Sequence, residues 1–276
     1  MCAQMRKWTT ASILEAIASF DNDNLPTDFL EIRTDEYRII RYPERLLSPT
    51  LPAAQVVSSN ISRSLTTVFD EISSIVRDWR LNEVHWWVTS KTHPIETENY
   101  LKGRGGVLSD SFQILARELD DQITPKNQSE SKVIKLVCDE KSLRAAIQIE
   151  TEGWGRSTPT EREIELRFLQ ALRLLNSLTE FQVIALFNDK PVATGCCTIK
   201  GDVARLFGGI TLSGFRNRGF YQAVLNERLR IARDFGATVA LTRGRSNTSG
   251  PLLIKSGFTV HANDNCYRMK ISGVHS

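Results

Sequence analysis

The run LSGFRNRGFY (residues 212–221) places two arginines and a glycine between an apolar stretch and a long amphipathic one. A helix start already carries partial positive charge from its unpaired backbone N–H groups, so an acidic or hydroxyl cap is the usual residue there. Arg216 and Arg218 stand at that end instead, and Gly219 leaves the backbone open to close approach. These residue types at this spacing describe a cradle for an anion that a ligand would bring. Helix amides and the dipole meet it, and two guanidiniums add charge-assisted hydrogen bonds to phosphate oxygens. The dipole alone contributes about 0.3–1 kcal/mol per anion at an exposed site, so useful affinity needs the arginines as well.

Other reactive groups are sparser. Five cysteines, with Cys196 and Cys197 adjacent, give no legible disulfide framework. The four histidines, His85, His93, His261 and His275, show no metal-ligand spacing with them. The expectation is no metal, and reduced thiols in a cytoplasmic protein. A net charge of +3 without a long basic block argues against a nucleic-acid partner. No run approaches the roughly 20 apolar residues of a membrane span, and the N-terminus lacks a stretch of signal type, so no membrane partner is expected. Neither G-x-x-x-x-G-K-[ST] nor G-x-G-x-x-G occurs, which leaves a plain nucleotide-binding protein with little support.

The chain of 276 residues, 41% hydrophobic and 24% charged, has room for one large domain or two ordinary ones. The polar DDQITPKNQSESK (120–132) reads as a linker between an N-terminal α/β domain, 1–125, and a second domain, 126–276. In the first, VVSSNISRSLTTVFDEISSIVRDW (56–79) reads as helical and EVHWWVT (83–89) as a strand, while residues 1–50 show no sustained period. In the second, KVIKLVCD (132–139) reads as a strand and KSLRAAIQIETEG (141–153) as a helix. A further helix is opened by Thr158 as cap, Pro159 in first position and Glu161 as partner in a capping box. EFQVIALF, PVATGCCTIK and DVARLFGGITL, joined by NDK and GD, predict an antiparallel meander. In the helix after the arginines, Tyr221, Leu225, Leu229, Ala232 and Phe235 form one buried stripe, with Arg228, Arg230 and Arg233 off it and Gly236 as its stop. TVALTR, a short helix with Pro251 in its first turn and Gly257 past its end, and the strands FTVHA and NCYRMKI close the order.

RNRGFY (216–221) resembles the acetyl-CoA signature Q/R-x-x-G-x-G/A of the GCN5-related N-acetyltransferases (GNAT), with Tyr221 where the last Gly or Ala is usual. RNRGFYQAVLNERL and GATVALTRGRSNTSGPLLIKSGF are similar to a subset of that family, and the element order matches over roughly residues 132–271. The resemblance implies an α/β (α+β) GNAT fold, a mixed central sheet flanked by helices, preceded by a smaller α/β domain. It implies that the amides of Arg216, Asn217, Arg218, Gly219, Phe220 and Tyr221 hold the pyrophosphate of acetyl-CoA. Pantetheine would run along the strand ending at Ile210, Thr211 and Leu212, with Asn247 and Ser249 near the thiol end. It further implies acetyl-CoA as cosubstrate and an amine as acceptor, a small molecule by preference, in a monomer or homodimer. NEVHWWVTSKTHPIETENYLKGRGGVLSDSFQILARELD (82–120) resembles the closing part of a GNAT domain, which would make the chain a tandem GNAT with a degenerate N-terminal half. An unrelated lid is the other reading. Gly103, Arg104, Gly105 and Gly106 open no amphipathic helix there.

Acyl transfer needs a neutral amine, and an alkylammonium of pKa about 10.4 has to lose its proton first. Leu253 stands where many of the family carry a tyrosine acid, and the strand DVARLFGGITL offers no carboxylate beyond Asp202. Glu152 is the first choice for base or amine anchor, with Glu150 beside it in IETEGWG, the segment that lines the acceptor site in the family. Tyr267 and His261 are the candidate proton donors, and Trp154 a candidate pocket wall. Cys196, Cys197 and Cys266 lack a His-Asp arrangement for an acyl-enzyme. A peptide or protein acetyltransferase and a non-catalytic acyl-CoA sensor or interaction protein are the alternative functions.

Overall fold

The computed structural model describes residues 8–20, 28–47, 51–120 and 132–271. In chain order the elements are α1 (Thr10–Ala18), β1 (Leu30–Arg33), β2 (Tyr37–Arg41), β3 (Ala54–Ser59), α2 (Leu65–Asp78), β4 (Glu83–Val88), α3 (Thr97–Gly103) and β5 (Val107–Glu118). They continue with β6 (Lys132–Leu136), α4 (Glu140–Trp154), α5 (Glu161–Asn176), β7 (Glu180–Phe187), β8 (Lys190–Lys200), β9 (Val203–Thr211), α6 (Phe220–Asp234), β10 (Val239–Arg245), α7 (Ser249–Lys255) and β11 (Thr259–Lys270). No helix among the described residues is long and apolar enough to cross a membrane.

The chain divides into two compact units. The first comprises residues 1–21, 115–243 and 254–261, the second 22–114, 244–253 and 262–276. Their borders differ from a single division at 125/126, because β5 and β11 each begin in one unit and end in the other. The 120–132 linker, Asp120 and Lys132 apart, lies outside the described residues, as does His275.

In the first unit the strand order is β10-β9-β8-β7-β6. β6 to β9 are antiparallel, and β10 joins β9 in parallel after the α6 crossover. The hairpin between β7 and β8 turns on Asn188 and Asp189, at φ 48° and 63°, the paired left-handed conformation that a two-residue turn requires. α4 is opened by Asp139, whose carboxylate accepts the Ser142 amide at 2.6 Å. Leu143, Ala146, Ile147 and Ile149 of α4 join Ile164, Ile184 and Leu212 in one apolar core. α5 starts two residues later than the sequence suggests: Thr160 is the cap and Glu163 its partner, with the Glu163 carboxylate accepting the Thr160 amide at 2.7 Å. The S/T-x-x-E pattern occurs twice in overlapping frames here, and Pro159 precedes the cap instead of following it.

In the second unit the order is β1-β2-β3-β4-β11, again with an antiparallel trio followed by a parallel neighbour, β4 beside β3, after the α2 crossover. Three antiparallel strands, helix, parallel strand, helix and strand thus follow one another twice, as β1 to β5 and as β7 to β11, with β6, α4 and α5 added ahead of the second run. The expected helix over 56–79 is two elements. Val56 pairs with Ile39 and lies parallel to Trp86 in β3, and the helix begins only after Ser64, whose hydroxyl accepts the Thr67 amide at 3.1 Å. The β-branched pair Val56-Val57 favours the strand. FTVHA and NCYRMKI form one continuous strand, β11. Val68, Phe69, Ile72 and Val76 of α2 pack on Ile39, Val56, Val84 and Trp86, with the Phe69 and Trp86 rings stacked at 6.3 Å.

The turn that enters α2 closes on a carboxylate of the same chain. Glu36 accepts hydrogen bonds from the Ser62 amide (2.8 Å), the Ser62 hydroxyl (2.7 Å), the Arg63 amide (2.9 Å) and the Arg63 guanidinium (2.6 Å). The Ser62 hydroxyl first, then the Arg63 amide and guanidinium, hold the Glu36 carboxyl down from 4.5 to about 2. A depressed carboxyl stabilises the fold above its unfolded pKa, and that contribution is lost as the pH falls through the folded value. Replacing Glu36 by Gln should therefore lower the urea midpoint of the second unit at pH 7, with the gap to wild type closing between pH 4.5 and 2. Fluorescence of Trp79, Trp86 and Trp87 reads that unit, and a gap independent of pH would contradict the assignment.

Candidate functional site

The start of α6 is built differently. Its cap, Gly219, sits at φ +81° with no side chain bonded to the first-turn amides, and Asn217 is left-handed at φ 61°. The first helical bond runs from the Ala223 amide to Gly219 O at 3.0 Å, leaving the Phe220, Tyr221 and Gln222 amides at the helix mouth. Arg216, Asn217, Arg218 and Gly219 are all exposed. A Cβ on Gly219 would meet only Lys132 Nζ, at 3.8 Å, so glycine is required by its left-handed backbone and not by crowding.

Three cations surround this mouth. Arg218 stacks on Phe187 at 4.4 Å and Phe215 at 5.4 Å, two rings of a cluster completed by Phe220. Lys132 donates to Arg218 O at 2.8 Å and lies 5.1 Å from the Phe220 ring. Arg216 Nε donates to Thr211 O at 3.3 Å. Among the described residues no carboxylate pairs with any of the three, whereas Arg63 at the corresponding turn of the second unit pairs with Glu36 and Glu71. The stacking fixes Arg218 while leaving its charge available.

Beside the mouth, β9 parts from β10. Their parallel ladder covers Val203–Arg205 against Val239–Leu241, and past it the Thr242 hydroxyl donates to Leu206 O at 3.0 Å. From Phe207 to Thr211, β9 pairs with β8, and among the described residues no strand pairs with its other edge, which can bond an extended ligand. Ile210 packs against Gly153 of α4, where a Cβ would come within 2.3 Å of it. That approach brings Trp154 against Gly208, and the Arg156 guanidinium covers the Trp154 ring at 4.5 Å.

The first unit, the second unit and the elements common to both now have counterparts. No family model matches the sequence, and no curated protein does. Solved structures do. A GCN5-related N-acetyltransferase from Sphaerobacter thermophilus aligns with TM-score 0.68 at 15% identity, over 95% of this chain and 86% of that one. One from Kribbella flavida aligns with TM-score 0.64 at 16% identity, over 94% and 95%. A tandem GNAT protein of the clavulanic acid biosynthesis pathway aligns with TM-score 0.60 at 10% identity, over 90% and 85%. The fold is that of the GNAT acetyltransferases.

Within this GNAT fold the other expected site residues fall as follows. Glu152 is exposed at the end of α4 and lines a cleft of about 340 Å³ with Arg144, Thr151, Pro159, Glu161 and Ile164. Glu150 points inward: it is buried, paired with Arg167 at 2.9 Å and bonded by the Gln182 amide at 2.9 Å. Tyr267 is 2% exposed in the core of the second unit, and its hydroxyl donates to Glu98 at 2.5 Å. With its proton committed there, no role in transfer is assigned to it. His261 bonds the Thr10 hydroxyl at 3.1 Å. Asn247 and Ser249 belong to the second unit, where Ser249 Oγ accepts the Arg245 amide at 2.9 Å and Asn247 lies exposed in the turn ahead of α7. Leu253 is buried, as a helix residue of that unit. Arg228 departs from expectation: it is 2% exposed inside the α6 interface instead of lying off the stripe.

Cys196, Cys197 and Cys266 are poor nucleophiles. Burial, with the nearby charges of Glu150 and Glu180, pushes the Cys196 thiol well up, and burial pushes Cys197 up to about 12 and Cys266 up to about 11. A thiol in that state is not ionised at neutral pH. Iodoacetamide on the native protein at pH 7.5 should alkylate the exposed Cys138 while the other three react roughly a hundredfold more slowly, as read by peptide mapping. Fast labelling of Cys196 would instead reopen a covalent route.

Proposed function

We propose that the protein is an acetyl-CoA-dependent N-acetyltransferase that acetylates an amine, a small molecule by preference, by direct attack on the thioester. The observation that carries this reading is the start of α6, an uncapped helix mouth ringed by Arg216, Arg218 and Lys132 and set beside the free edge of β9. The pyrophosphate fits the Arg216–Tyr221 amides and the two arginines, and the amides of pantetheine fit the edge that runs through Ile210 and Thr211 to Leu212. Residues 126–276 carry this cradle. Residues 1–125 are read as a degenerate copy in which Glu36 fills the corresponding turn.

Acetyl-CoA supplies the activated acyl group. The acceptor nitrogen, once neutral, forms the C–N bond as the C–S bond breaks, and the departing sulfur takes up a proton. Glu152, a carboxylate with no ion pair among the described residues, holds the ammonium form of the acceptor and directs its deprotonation. Trp154, two positions beyond Glu152 and packed against Gly208, lines the β9 side of α4 and not the Glu152 cleft. The burial of Leu253 at the usual place of the acid favours a second reading, a non-catalytic acyl-CoA sensor.

Calorimetric titration of acetyl-CoA into wild type should give micromolar binding. The double variant Arg216→Glu, Gly219→Glu should bind at least about a hundredfold more weakly, since it loses one cation, adds two anions and strains a left-handed position. CoA release with a panel of amines then separates the enzyme, which turns over, from the sensor, which binds without release. Absence of binding by folded wild type would refute both. In the active enzyme Glu152→Gln should raise the KM for the amine about two- to fivefold while acetyl-CoA affinity stays unchanged. An unchanged amine KM would remove Glu152 from the site.

A further inference from the structure

Arg228 is a buried cation without an anion. Its Nη1 donates to Cys196 O at 3.1 Å and Phe207 O at 3.2 Å, and its Nε to Val224 O at 3.4 Å. Among the described residues Nη2 makes no hydrogen bond and no carboxylate pairs with the guanidinium. Burial accordingly pulls its pKa below the usual arginine value. Burying a charge in this state carries a desolvation cost that an apolar side chain of similar length would avoid.

What Arg228 holds is a break in the sheet. Thr194 pairs with Ile210 but Cys196 pairs with Phe207, so Gly195 on β8 faces both Gly208 and Gly209 on β9. This is a bulge, with Gly208 in the left-handed conformation at φ +61°. The two strand carbonyls that Arg228 takes belong to the Cys196–Phe207 pair, which borders that bulge. Both flanking glycines make room for it: a Cβ on Gly195 would come within 2.7 Å of Cζ, and one on Gly209 within 3.4 Å of Nη2. Next along β9, the Thr211 hydroxyl is buried without a partner. The arginine, the bulge and the glycines thus form one device at the point where β9 leaves β10.

We propose that Arg228 is a positioning residue of the cofactor site, clamping the β8–β9 bulge so that the free edge of β9 keeps the direction needed to bond the pantetheine arm. The inference rests on the acetyl-CoA reading and goes beyond it, because it separates recognition of the arm from recognition of the pyrophosphate. Two probes divide these contributions: acetyl-CoA, and adenosine 3′-phosphate 5′-diphosphate, which has the pyrophosphate without the arm. In Arg228→Met, acetyl-CoA affinity should fall about tenfold while that of the diphosphate stays within about twofold of wild type. Arg228→Lys should recover part of the loss.

A merely structural role would lower the unfolding midpoint and leave the ratio of the two affinities unmoved, and that result would overturn the proposal. Should Arg228→Met fail to fold, Gly209→Ala decides with the arginine in place, since its added methyl crowds Nη2 and should produce the same selective loss. An unchanged ratio in that variant also overturns the proposal. If wild type binds neither probe, the cofactor reading falls and this inference with it. If wild type binds both and only the ratio fails to move, the cofactor reading stands alone.

Discussion

The uncapped amides at the start of α6 are the constraint around which the first unit is arranged. A helix end without a cap is unfavourable unless water or a ligand satisfies it. The left-handed backbone of Gly219 and Asn217 presents that end outward, and the phenylalanine cluster under Arg218 keeps a cation beside it. Every neighbouring element respects this opening. β10 leaves β9 after three paired residues, and Gly153 lets α4 settle against Ile210.

The second unit offers an internal comparison, because its elements follow the same order. There the turn between the third strand and the helix has its own serine cap and its own anion. Ser64 satisfies Thr67, and Glu36 collects the amides of Ser62 and Arg63. A carboxylate placed in a phosphate-sized cradle satisfies the donors that a ligand would need. One acidic residue at the β1–β2 turn is enough to satisfy the Ser62 and Arg63 amides without any change of fold.

Much of this was legible in the sequence. The β7–β9 meander and the arginine-glycine turn depend on local periodicity and local backbone demands, and they appear where the residues suggest; the buried face of α6 keeps Leu225, Leu229 and Ala232 but takes in Phe220, Val224 and Arg228, with Tyr221 and Phe235 half-buried. What stayed hidden depends on contacts between residues far apart in the chain. The role of Glu36 depends on partners that lie 26 and 27 positions away. Arg228 looked solvated because a charged residue on an amphipathic helix normally is; only the bulge opposite, and the glycines that flank it, give it a place inside. The paired glycines Gly208-Gly209 within an apolar strand were the available signal, since glycine in a strand often marks a bulge or a close approach. The α5 cap was misplaced for a different reason: two overlapping capping patterns satisfy the same rule, and only the observed bonds choose between them.

Glu150 and Glu152 show how the same limitation bears on chemistry. Two positions apart on a helix, they point in directions roughly 200° apart, so one cannot substitute for the other. Glu150 turns toward the sheet, where Arg167 and the Gln182 amide occupy its two oxygens, and the Gln182 amide bonds the Thr194 hydroxyl in turn at 3.0 Å. That network ties α4 and α5 to β7 and β8. Glu152 turns outward into a cleft bordered by Ile147, Pro159 and Ile164, where an amine with an apolar body would find both a charge and a surface. The division between the two carboxylates follows from helix geometry: one turns to the sheet, and the other to the cleft.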